Sequence, residues 1–130
     1  MNDDDPPLIH GYSRAEALND GVLRDVTLTA REAGFRLPVA VTARVWGDYV
    51  AVPPLLGGTQ DEAGRLWDIC WMASVAVRSV PRHGPATDSI TFQLYVQMAP
   101  QLRDLVTLRC CLGPGDNAEP VITIMTPDED

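Results

Sequence analysis

The chain has no lysine, and all ten of its basic residues are arginine. That absence excludes a phosphate loop of the G-x₄-G-K-[ST] kind, whose lysine reaches the terminal phosphates. It also makes every cation a planar, permanently charged fork suited to carboxylates. Cysteine is scarce. Cys70, Cys110 and Cys111 are an odd set with no spacing pattern, which argues against a disulfide framework. His10 and His83 add no C-x₂-C or H-x₃-H spacing, so no metal site is expected. No run approaches about 18 uncharged apolar residues, the length a membrane helix needs. The longest apolar-rich run, Leu66 to Val80, is broken by Asp68 and Arg78. The first residues, Met1-Asn2-Asp3-Asp4-Asp5, are acidic, the opposite of a secretory leader. A cytoplasmic protein with reduced thiols is the expectation.

What is present fits one domain. A chain of 130 residues with 45% hydrophobic content can build a core without metal or disulfide support. The net charge of −8 is concentrated at the ends. Six of eighteen acids are Asp3, Asp4, Asp5, Asp128, Glu129 and Asp130. The remaining twelve face ten arginines, a body charge of −2. A nearly neutral body with no basic cluster speaks against direct nucleic-acid binding and only faintly for mimicry of DNA.

Residues 1–8 read as an acidic tail, 9–127 as a single α+β domain, and 128–130 as a second acidic tail. Ser13 and Glu16 have capping-box spacing for a first helix at about 13–20, closed by Gly21. A second helix is expected at about 27–33, with Gly34 after it. Pro38 fits the first turn of a third helix over 38–51, although the β-branched content leaves a strand at 38–42 open. Thr59 and Glu62 have capping-box spacing for a long central helix. Its buried stripe is Leu66, Ile69, Cys70, Ala73, Val77 and Val80. Trp67, Trp71 and Val75 form a second stripe, expected to pack in the core, with an anchor for another protein as the alternative reading.

The period then changes from 3.6 to 2. In 89–97, Ile90, Phe92, Leu94 and Val96 alternate with Thr91, Gln93, Tyr95 and Gln97. In 105–112, Val106, Leu108, Cys110 and Leu112 face inward. A third strand covers 121–125, after the turn-rich Gly113-Pro114-Gly115-Asp116-Asn117, in which Asp116 can cap its own backbone. The expected fold is α+β: N-terminal helices and a long central helix packed on a C-terminal three-stranded antiparallel meander with connections of seven to eight residues.

Chemistry is thin on inventory. Cys111 with Arg109 two residues away is the one candidate for an activated thiol, and an ordinary strand cysteine explains it as well. Gly57-Gly58-Thr59 precedes a helix, but Asp61 and Glu62 in the first turn repel phosphate. The pairs Asp61/Glu62 and Asp116/Glu119 fit helix capping and turn formation.

Three segments carry a resemblance: His10-Gly11-Tyr12-Ser13-Arg14-Ala15-Glu16-Ala17-Leu18, Gly64-Arg65-Leu66-Trp67-Asp68-Ile69-Cys70-Trp71-Met72-Ala73, and residues Gly113 to Met125. Over about residues 8–127 the chain resembles a family of short uncharacterised bacterial proteins carried on plasmids, phages and other mobile elements. The resemblance implies a context rather than an activity, and no catalytic residues carry over. It implies an inhibitor of a host defence nuclease system, of the anti-CRISPR or anti-restriction type. The expected function is therefore a non-enzymatic, protein-binding accessory protein without cofactor, membrane or direct nucleic-acid contact. A self-associating structural module, a homodimer, is the alternative. The candidate partner surface is Gln93, Tyr95 and Arg109 on the outer sheet face, with Asp116 and Glu119 at the hairpin.

Overall fold

Helix α1, Arg14–Asp20, begins where the capping box predicts it. The Ser13 hydroxyl accepts from the Glu16 N–H, and the Glu16 carboxylate accepts from the Ser13 N–H. Gly21 ends it at φ 80°, a left-handed conformation that favours glycine. The computed structural model describes residues 12–81 and 87–129. The expected tail at 1–8 lies outside these.

Strand β1, Leu23–Asp25, and helix α2, Thr27–Glu32, follow. Gly34, at φ 116°, then turns the chain against the central helix. A Cβ there would lie 2.8 Å from the Arg78 side chain and 3.0 Å from Ser74 Oγ. No other residue type meets both demands.

The third helix expected at 38–51 is confined to residues 43–50, and the strand left open at 38–42 forms before it. Residues Val39–Thr42 form strand β2, buried at all four positions. Val39, Val41 and Thr42 are β-branched, and β2 lies inside the sheet with both faces covered, so the two-residue alternation that marks a strand is absent. Thr42 then accepts from the Val45 N–H and starts a short helix, α3, Ala43–Val45. It widens into a π-helical turn at Trp46–Val50.

Helix α4, Glu62–Arg78, is the long central element. Its cap is Asp61, whose carboxylate accepts from the Gly64 N–H at 2.7 Å. Thr59, the expected cap, donates instead to the Leu56 carbonyl. Strands β3, Ser89–Ala99, β4, Leu102–Pro114, and β5, Pro120–Met125, complete the fold. The β3–β4 connection is a tight turn at Pro100 and Gln101, with Gln101 at φ 61°, and the β4–β5 connection is Gly115–Glu119; both are shorter than expected.

The sheet has five strands in the order β1-β2-β5-β4-β3. The expected meander is its β3-β4-β5 half. The correction is the addition of β1 and β2, with β2 parallel to β5 through Val39↔Ile122 and Val41↔Ile124. The inner face carries Phe92, Leu94, Val96, Val106, Leu108, Cys110, Ile122 and Ile124. It forms one core with Leu66, Ile69, Cys70 and Ala73 of α4 and Ala30 of α2. Leu112, expected inward, is exposed at the end of β4. No helix among the described residues is long and apolar enough to cross a membrane.

Candidate protein-binding surface

The five residues expected to form a partner surface are not one contiguous patch: Gln93, Tyr95 and Arg109 share the outer sheet face, and Asp116 and Glu119 stand at the hairpin. Asp116 stands in the β4–β5 hairpin and reaches the start of α1. Its two carboxylate oxygens accept from the Arg14 and Ala15 N–H groups at 2.7 and 3.0 Å. It therefore caps a distant helix, not its own turn, and its negative charge suits the helix N-terminus. Glu119 accepts from the Asn117 N–H at 2.8 Å and closes the hairpin. Arg109 donates to Met125 Sδ and to the Glu129 carbonyl. Gln93 and Tyr95 remain open. Gln93 donates to Thr107 Oγ1 across the strand pair, and Arg103 lies 5.6 Å from the ring centroid of Tyr95. Gln93 pairs with Thr107, whereas the hairpin starts at the Pro114↔Pro120 pair. Seven strand residues separate the two groups, roughly 23 Å.

The β2–β5 half of the outer face is covered. Arg14 donates to Thr123 Oγ1 and the Ile122 carbonyl. The C-terminal residues expected as a tail are tied to it. Glu129 accepts from the Thr42 hydroxyl and from Thr126, and Asp128 pairs with Arg44 at 3.0 Å.

The tryptophans are the opposite case. Trp67 and Trp71 are 37% and 42% exposed, so the second apolar stripe of α4 is not core. The rings stack with centroids 5.9 Å apart and planes 15° from parallel. Arg78 lies 5.2 Å from the Trp71 ring centroid, and the exposed Val77 is its neighbour. The signal that could have found this is helical geometry. Trp67 and Trp71 are displaced by well over 100° from the Leu66–Ile69–Ala73 stripe, and a single sheet covers one side of a helix.

The thiols offer little chemistry. Burial, and then the neighbouring thiol, pushes Cys70 and Cys110 up to about 12. Both are protonated at neutral pH and shielded. Cys111 is half-buried, its sulfur 3.9 Å from that of Met125. Among the described residues no three histidine, cysteine or acidic side chains converge as metal ligands.

The fold is thus a mixed α+β domain with an exposed aromatic pair on its central helix. The chain belongs to DUF6573, a family of unknown function whose sequence model matches residues 4–130. No curated protein and no solved structure matches it.

Proposed function

We propose that this protein is a non-enzymatic, protein-binding accessory factor of a mobile genetic element that inhibits a host defence nuclease system, and that it docks through the Trp67–Trp71 face. The observation that carries the binding reading is the stacked, solvent-exposed tryptophan pair with Arg78 beside it. Tryptophan and arginine dominate the energetics of protein interfaces. Two rings already stacked on a regular helix lose little further freedom on docking, which lowers the cost of association. The defence role is supported by the resemblance to proteins of mobile elements.

The test is a phage-restriction assay in a host carrying a nuclease-based defence system. Wild-type protein is expected to restore plaque formation and to recover a subunit of the nuclease complex in stoichiometric amount. The Trp67→Ala/Trp71→Ala variant, with an unchanged melting temperature, is expected to do neither. Undiminished restriction with wild-type protein across representative nuclease systems refutes the defence role. A second reading uses the same face: a homodimer that buries both tryptophan pairs across a two-fold axis. Light scattering that gives a monomer at high concentration removes it.

A further inference from the structure

Strand β4 outruns the strand beside it. It covers 13 residues, Leu102–Pro114, and β5 pairs with it only from Arg109 to Pro114. Along a strand, backbone hydrogen-bonding groups point alternately to the two neighbouring strands. The Leu112 N–H donates to the Asp88 carbonyl at 2.7 Å, which sets the even-numbered residues of β4 toward β3. The odd-numbered residues point to the β5 side. Beyond Arg109 those are Thr107 and then Leu105. Continued in register, Pro127 and Glu129 would stand opposite them. Pro127 has no N–H to give. Glu129 is turned away, its carboxylate accepting from the Thr42 hydroxyl. Among the described residues, no group bonds the backbone of Leu105 or Thr107 from that side.

A slot of about 810 Å³ lies along this unpaired half, between residues 104–107 of β4 and the segment 47–54. The far wall does not fill it by pairing. Pro53 and Pro54 have no N–H, and their carbonyls accept from Leu56 and Gly57 within their own turn. The Ala51 N–H is bonded to the Trp46 carbonyl. Val52, Met98 and Val106 give the slot apolar surface, and its charged lining residues are two carboxylates, Asp48 and Asp104. Asp48 lies 3.8 Å from Arg44. Asp104 has no ion-pair partner among the described residues. An unpaired sheet edge thus borders an open slot whose walls carry negative charge, and such an edge is a template for a further strand.

We infer that this slot receives an extended segment of another protein that carries a lysine or arginine. The segment extends the sheet where β5 stops. It pairs with the N–H and carbonyl groups of Leu105 and Thr107, and its cation pairs with Asp104. The chain's own ends are poor occupants. Asp3, Asp4 and Asp5 at one end and Asp128, Glu129 and Asp130 at the other bring charge of the wrong sign. Neither Trp67 nor Trp71 lines the slot, so its occupancy is separate from docking through the tryptophan face.

The experiment titrates the ¹⁵N-labelled full chain with eight-residue valine- and threonine-rich peptides that carry lysine, glutamine or glutamate at one central place. At low salt the lysine peptide is expected to bind about tenfold tighter than the glutamate peptide, with glutamine between them. It is expected to shift the amides of Leu105 and Thr107 and to protect them from hydrogen exchange. Asp104→Asn, an exposed change, is expected to weaken the lysine peptide and leave the glutamine peptide unaffected. Two further lysine peptides have alternate amides N-methylated, one in each frame. At least one of them is expected to lose binding, because pairing along one edge uses one alternate set of N–H groups. Binding retained by both, equal binding of the lysine and glutamate peptides, or no change at Leu105 and Thr107 with any peptide overturns the inference. Protection of those two amides that rises with protein concentration alone, with a dimer mass in light scattering, also overturns it, in favour of a second copy.

Discussion

The hairpin and the outward stripe of α4 exchange the roles that their residue types suggest. Asp116, Glu119 and Arg109 are polar and look available, yet each is engaged within the chain. Trp67 and Trp71 are the largest side chains of the central helix and look like core, yet both face solvent. Polarity therefore does not measure availability here. A carboxylate is satisfied by two N–H groups wherever the fold brings them. A helix wrapped in apolar residues is covered only as far as its neighbours reach.

The comparison can be broken or sharpened by measurement. The two stripes of α4 should respond most differently. Ile69→Ala, at a site 1% exposed in the core, is expected to cost about 2–5 kcal/mol in urea unfolding. Asp116→Ala removes the acceptor of two N–H groups at the start of α1 and is expected to cost about 1–2 kcal/mol, in the range of a lost helix cap. Trp71→Ala is expected to cost less than about 1 kcal/mol by the same measurement, as surface changes do. A cost equal to that of Ile69→Ala would abolish the distinction between the stripes.

Thiol labelling extends the contrast to the strand. At pH 8, one of the three cysteines, Cys111, is expected to react quickly, with Cys70 and Cys110 held protonated and buried. Rapid labelling of all three would contradict the burial assigned to the inner face.

The smallest effect belongs to the C-terminal turn. The Thr126 hydroxyl, the Asp128 backbone N–H and Arg44 hold the Asp128 carboxyl below the usual carboxylate range. A depressed pKa contributes stability that is present above the unfolded value of about 3.9 and is lost as pH falls through the folded value. The melting temperature of Asp128→Asn should thus lie slightly below wild type at neutral pH and converge with it in acid. A gap that persists unchanged at acid pH would show that the carboxylate's charge is not what holds the turn.

Local elements were legible where one rule sufficed. Ser13, Glu16 and Gly21 delimit α1 in the sequence and in the structure. The alternation from Phe92 to Val96 and from Val106 to Cys110 assigns the faces of β3 and β4 as observed. Reading failed where neighbours decided. Strand β2 is buried on both faces of the sheet, not only flanked by β1 and β5, so its two-residue period is erased and the strand alternative at 38–42 could not be chosen over the helix. Asp61 outcompeted Thr59 as the cap of α4 because the chain adopts an extended conformation at 61, where a carboxylate faces the Gly64 N–H. Of the candidate site, Gln93 and Tyr95 were correctly placed on an open face, while Asp116 was assigned to its own turn.

The sequence by itself determined that α1, α4 and the β3-β4-β5 half of the sheet would form, because capping, helical periodicity and alternation are properties of neighbouring residues. Only the tertiary structure decided that Asp116 would cap a helix from the other end of the chain, that Arg65 would be buried against the Tyr49 and Gln97 carbonyls, and that the tryptophans would stay partly exposed. Those outcomes depend on which surfaces meet, and residues far apart in sequence bring those surfaces together.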